Sequence, residues 1–247
     1  MGRKVWARTV YVGLVRGAGR VARALGVLAL LDRLAPHSRR AHWLRSLFAI
    51  HDLEGLVALD VPWWTYRAID RVDAFLAERP AARVFEYGSG ASTVWLARRA
   101  ASVTTIEHHA GWGYKMQGLL DRLPGLGPVR LRTVLPDADR VTDPLYVSQK
   151  KPEQGQSFRA YARAIEREEG QFDLIVIDGR ARAACLAHAR TRLAPGGLIV
   201  FDNSHRCRYR EAIESCDLRV ERLRGLTPSL PYPDETTLLS APGPEHR

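Results

Sequence analysis

Between Val84 and Thr93 the chain reads Val-Phe-Glu-Tyr-Gly-Ser-Gly-Ala-Ser-Thr, an apolar run that leads into Glu86-x-Gly88-x-Gly90-x-Ser92. Glycines at this spacing let a backbone turn sharply and approach a ligand closely. Where a helix follows, its first N–H groups are unpaired and face that ligand. A dinucleotide loop carries a third glycine where Thr93 stands, and a phosphate loop carries Gly-Lys-Ser/Thr; neither pattern is met. Glu86, two residues before the first glycine, would repel a pyrophosphate and favours a ligand bearing an amine or another cation. The ligand is expected against Glu86, Gly88, Ser89, Gly90 and Ser92.

A second acid, Glu107, closes the run Val103-Thr-Thr-Ile-Glu, 21 residues after Glu86. A carboxylate at a strand end at this distance can accept two hydrogen bonds from a ribose diol. His108 and Trp112 beside it, or Asp137 and Asp139 further on, are candidates to contact a base. Two more strand ends carry chemistry. Asp178 follows Leu-Ile-Val-Ile and precedes Gly179-Arg180, and Asp202-Asn203-Ser204-His205 follows Leu-Ile-Val-Phe. Asp178, Asp202 and Asn203 together form a hard-oxygen set of the kind that suits Mg²⁺ completed by water. Asp178 is equally suited to orient a substrate. His205, with an ordinary imidazole, is the expected general base. Arg180, Arg182, Arg206, Arg208 and Arg210 gather past the same two strands, to anchor an acidic substrate or to form a solvated face with Glu211 and Glu214. Arg180, Asn203 and Tyr232 are the expected substrate contacts; Trp63 and Trp64 belong either there or in the core.

The loop, with its preceding acid, resembles motif I of the class I S-adenosylmethionine (SAM) dependent methyltransferases, an acid-x-Gly-x-Gly sequence. SAM carries an amine, a sulfonium and a ribose, which is what the two acids favour. The resemblance implies that Gly88 and Gly90 flank the methionyl part of SAM, with Glu86 nearby. The Asp178, Asp202 and Asn203 set is similar to the catechol O-methyltransferase type, in which such residues hold Mg²⁺ against a deprotonated hydroxyl pair. The lysine base that type carries three residues beyond its strand-four acid is here Ala181. O-methylation of a small molecule or glycan is the expected reaction. A SAM-binding protein without methyl transfer stays open, as does a nucleic-acid methyltransferase, although Ile-Asp-Gly-Arg is not the Asn/Asp-Pro-Pro-Tyr type of motif.

These residues need a frame, and the alternation of patterns from Val61 onward predicts one. Strands are expected at 83–87, 102–107, 129–135, 172–178, 197–202, 218–223 and 236–240. Helices are expected from Pro62 to Pro80 and at 92–100, 113–123, 158–168, 182–193 and 209–215. Alternating strands and helices imply crossover connections. The fold class is therefore α/β: a Rossmann-like, seven-stranded, mostly parallel sheet with helices on both faces, as the continuously apolar strands require. The segment 136–157, rich in Pro, Asp, Lys and Gln, is too long for a plain connection and is expected to be either functional, as a lid, or disordered.

The division expected is a basic amphipathic helical arm over residues 1–51 and a SAM-binding domain over 52–247. The net charge is +10, but residues 1–50 hold ten Arg and Lys against one acid, Asp32, so the remainder is almost neutral. That distribution argues against nucleic acid as partner. In the arm, Arg16, Arg20 and Arg23 oppose Leu14, Val21, Leu25 and Leu28 on a helical projection. The glycines at 13, 17, 19 and 26 predict more than one helical segment. The arm either packs on the domain or makes peripheral contact with an anionic membrane surface. Three unclustered cysteines, 185, 207 and 216, fit a reducing cytosol better than a disulfide framework.

Overall fold

A computed structural model describes residues 13, 17–50, 52–138, 143–149 and 151–241. Asp139, His51, Leu14 and Arg16 lie outside the described residues. Seven strands form one sheet: β1 Arg83–Tyr87, β2 Ser102–Glu107, β3 Val129–Thr133, β4 Phe172–Ile177, β5 Leu193–Asp202, β6 Arg219–Gly225 and β7 Asp234–Ser240. Their order is β3-β2-β1-β4-β5-β7-β6. The first five run parallel, and β7 is antiparallel to both β5 and β6.

Side-chain alternation assigns each strand to two separate cores. Val84, Leu174, Val176 and Val200 face one core, which also takes Trp64, Val72 and Trp95. Phe85, Tyr87, Ile175, Ile177, Ile199 and Phe201 face the other, with Tyr161 and Leu186. Strands buried on both faces show no polar alternation, which is why β4 and β5 read as unbroken apolar runs.

The helices are α1 Val27–Leu34, α2 Arg39–Leu47, α3 Leu53–Ala58, α4 Tyr66–Ala77, α5 Ala91–Ala97, α6 Ala110–Leu120, α7 Arg159–Ala162, α8 Arg182–Ala189 and α9 Arg210–Glu214. The expected start of α4 at Pro62 is corrected. Thr65 caps it by accepting from Ala68 N–H, and residues 61–65 form an extended bend that buries Trp64. Gly26, at φ 73°, separates α1 from a helical stretch over 17–24. The first helices are tied to the sheet through α2: Trp43 Nε1 donates to Leu230 O at 2.9 Å, and Ser229 Oγ donates to Ser46 O at 2.7 Å.

The order reverses between β1 and β4, where β1 leads outward to β2 and β4 to β5. Ligands of open α/β sheets bind at the carboxyl ends of strands at such a switch point. Glu86, Glu107, Asp178 and Asp202 all lie at these ends.

Trp64 is fully buried and meets Trp95 edge-on, with ring centroids 5.9 Å apart. Trp64→Ala is expected to lower unfolding free energy by about 3–5 kcal/mol, read from urea denaturation; a loss below about 1 kcal/mol would show that the bend before α4 does not anchor the core.

Candidate functional site

The loop after β1 is built from inside. Gly88 sits at φ 95°, a left-handed conformation that favours glycine, and a Cβ there would press on the backbone of Asp178 and Gly179 at 3.0–3.2 Å. Gly179 is equally confined, because a Cβ on it would overlap the Tyr161 hydroxyl. The ends of β1 and β4 therefore touch backbone to backbone.

Beneath the loop, Glu86 is fully buried and does not line the cavity. Its carboxyl accepts from Ser92 Oγ at 2.5 Å and from Thr93 Oγ1 at 2.6 Å, while Gly90 N–H donates to Thr93 Oγ1. Direct ligand contact by Glu86 is thereby corrected: it braces the first turn of α5. Burial pushes its pKa up to about 7, against the opposing pull of the Ser92 and Thr93 hydroxyls.

Glu107 is also buried, but in the opposite sense. Its Oε2 accepts from Ser89 N–H at 3.1 Å and Ser89 Oγ at 2.9 Å, and its Oε1 accepts from the backbone N–H groups of His108 and His109. Burial raises its pKa, but the adjacent His108 side chain and these donors outweigh burial, so the net shift is downward. Trp112 Nε1 donates to Ser89 O, closing the wall beside β2. Asp137 is turned elsewhere: it accepts from Ser157 Oγ and from the backbone N–H groups of Arg159 and Ala160, capping α7. Contact between Asp137 and a base is corrected on that ground.

Gly88, Ser89, Gly90, Ser92, Glu107, His108, Trp112, Asp178 and Arg180 all line one cavity of about 1140 Å³, which also meets Trp63, Arg206 and Arg208. Trp64 is core. Arg180 crosses from β4 towards β2: its Nε donates to His108 Nε2 at 3.2 Å, and its Nη2 lies 2.5 Å from Glu153 Oε2. Its Nη1 is buried without a hydrogen-bond partner. Within the segment 136–157, Val147 pairs with Ser157, and Pro144, Val147 and Glu153 stand on the cavity wall.

Arg182 changes the reading of the acidic set. It is buried; its Nη2 donates to Asp178 Oδ1 at 2.6 Å and to Asp178 O at 3.1 Å, its Nε donates to Gly179 O, and its Nη1 donates to Asp202 O and lies 3.7 Å from Asp202 Oδ2. Burial works against the guanidinium charge, but Asp178 and Asp202 outweigh it and raise the pKa of Arg182. Burial and the charge of Asp178 push the Asp202 carboxyl well above the usual range. Asn203, at φ 49°, turns its amide to donate to Asp234 Oδ2 at 3.0 Å. The Mg²⁺ set is corrected accordingly: the guanidinium holds the Asp178 carboxylate, Asp202 is buried with Oδ1 accepting from Thr236 Oγ1, and the Asn203 amide faces Asp234. Among the described residues no cluster of three His, Cys, Asp or Glu side chains is arranged to hold a metal ion.

His205 and Tyr232 are corrected as well. His205 is half exposed, sits outside the cavity, and places Nδ1 2.8 Å from Asp234 Oδ1. Tyr232 is exposed and off the cavity wall, and the half-buried Asn203 is off it too. The cause is Asp234 at the start of β7, which draws both Asn203 and His205 toward the antiparallel edge. Asp234 carried no sequence signal beyond its place after a proline-rich stretch.

A methyltransferase-domain family model matches residues 85–204. Among solved structures, an O-methyltransferase from Bacillus cereus in complex with SAH is 19% identical, covers 79% of this chain and 90% of its own, and superposes with a TM-score of 0.54. The O-methyltransferase TomG from Streptomyces achromogenes, involved in tomaymycin synthesis and solved with SAM, is 16% identical over 76% of this chain and 90% of its own, with a TM-score of 0.52. These likenesses show the fold. No curated protein matches the chain.

Two predictions follow from the buried charges. Because folding raises the Glu86 pKa from 4.5 to about 7, its stabilising contribution is full below the lower value and is lost as pH rises through the upper one. Glu86 is expected to contribute a fall on the order of 3 kcal/mol across that window, and Glu86→Gln to remove that share of the slope; parallel urea titrations check this. Arg182→Met, which strips the guanidinium from the Asp178 carboxylate and from the backbone oxygens of Asp178, Gly179 and Asp202, is expected to cost about 3–5 kcal/mol in the same assay.

Proposed function

We propose that this chain, whose residues 85–204 match a methyltransferase-domain model, is a class I SAM-dependent methyltransferase that methylates a hydroxyl oxygen on a small molecule or glycan. We assign the reaction to residues 52–247, with residues 1–51 as an appended basic arm. One observation carries the reading: a single cavity joins the Gly88–Ser92 loop and Glu107 on one side to Asp178, Arg206 and Arg208 on the other.

The residues present fit SAM. Glu107, held as a carboxylate on the cavity wall beside Gly88, Ser89 and Gly90, offers the acceptor that a ribose diol needs. When bound, SAM supplies an activated methyl group on its sulfonium. Ser89, Gly90 and Ser92 hold the methionyl part through the loop. Glu107 would receive the ribose hydroxyls. His108 and Trp112 flank the base.

Asp178 faces the cavity with one oxygen held by Arg182. It orients the acceptor hydroxyl and takes its proton, a contribution typical of a positioned general base. Arg180, supported by Arg206 and Arg208, receives an acidic group of the acceptor. The rest of the rate enhancement is proximity and alignment of the acceptor oxygen with the methyl carbon.

Calorimetry with SAM, followed by detection of S-adenosylhomocysteine after incubation with a cell extract and labelled SAM, tests the reading. Glu107→Ala is expected to weaken SAM binding by about tenfold or more, and Asp178→Asn to leave binding intact while lowering turnover about 100-fold. Turnover is expected to persist after EDTA treatment. SAM binding with no S-adenosylhomocysteine from any extract would restrict the protein to cofactor binding.

A further inference from the structure

The part of the molecule that the site does not use carries its most exposed apolar surface. Of eleven large hydrophobic side chains exposed among the described residues, six lie between 21 and 44: Val21, Leu25, Val27, Leu30, Leu34 and Leu44. Leu25 is 73% exposed and Leu30 56%. Such a concentration on one short stretch marks a contact surface rather than scattered exposure.

The stripe is not the face by which α1 packs. Leu28 is buried and Leu31 half-buried on the side toward α2, where Asp32 also pairs with Arg45 at 2.7 Å. Val27, Leu30 and Leu34 recur at the i, i+3, i+7 spacing and form a second, outward row. Val21 and Leu25, before the Gly26 break, are exposed as well. The internal contacts of α1 are made without this row.

Charge decides what covers it. Arg20, Arg23, Arg33 and Arg40 accompany the row, the single acid among residues 1–50 is already paired with Arg45, and those residues hold ten bases. A second copy would bring the same excess of positive charge against itself. The exposed residues of the row are all valine or leucine, with none of the aromatic anchors that dominate protein interfaces. An exposed aliphatic row in a segment rich in long cationic side chains is instead the composition that lies at the boundary between lipid headgroups and acyl chains. Among the described residues no helix is long and apolar enough to cross a membrane, so this contact is peripheral.

We propose that the outward row of residues 21–34, with its flanking arginines, docks the protein onto an anionic lipid surface. The test uses the full-length protein sedimented with vesicles of phosphatidylcholine alone or mixed with phosphatidylglycerol, at low and high salt. Partitioning onto the anionic vesicles is expected to exceed that onto neutral ones by about tenfold and to weaken with salt. The paired substitutions Leu25→Gln with Leu30→Gln, and separately Arg20→Gln with Arg23→Gln, are each expected to lower it by about tenfold. Both pairs are exposed, and unchanged thermal unfolding checks that the fold is kept. Absence of vesicle binding overturns the proposal, as does binding that the leucine pair leaves unchanged. So does self-association in solution that the leucine pair abolishes, since a second copy would then be the occupant.

Discussion

A single buried guanidinium fixes the geometry at the end of the sheet. Arg182 donates to the backbone oxygens of Asp178, Gly179 and Asp202 and to the Asp178 carboxylate, so the ends of β4 and β5 are held by one side chain. Ala181, left-handed at φ 45°, is the turn from which Arg182 departs. A buried charge is tolerated only where its donors are met and an opposite charge is near. Arg182 meets both conditions, and it sets Asp178 facing the cavity while Asp202 stays inside. The neighbouring carboxyls do different work because only one of them keeps access to solvent.

Glu86 and Glu107 divide in the same way at the other half of the site. Glu86 receives two hydroxyl donors under the loop and is pushed toward neutrality by burial. Glu107 receives backbone and serine donors and is held as a carboxylate. The first holds the turn from below, and the second presents charge along the wall. Loop shape and ligand affinity thus rest on different acids, even though both stand at the ends of adjacent parallel strands.

The sheet was legible because burial on both faces writes itself into the chain as apolar runs such as Leu174–Ile177 and Leu198–Phe201. The glycine loop was legible because φ at Gly88 and the contact with Gly179 leave room for no other residue. The acceptor side was not. Asp202, Asn203 and His205 are close in sequence, but which way each points depends on Arg182, from another strand end, and on Asp234, from an antiparallel strand far along the chain. Local pattern carries no information about such distant partners. The start of α4 was misplaced for a similar reason, since Pro62 is a fair helix opener until Trp64 is required in the core.

The ion pair between Arg180 and Glu153 has a consequence for how the cavity sorts what enters it. Glu153 belongs to the hairpin whose residues Val147 and Ser157 pair, and its carboxylate sits on the same guanidinium that an acidic ligand would seek. A carboxylate that arrives must therefore compete with a tethered one, whose local concentration is set by the hairpin. A neutral molecule meets no such competitor and gains nothing from the arginine. The hairpin works as an internal rival, discriminating entrants by charge before it discriminates them by shape.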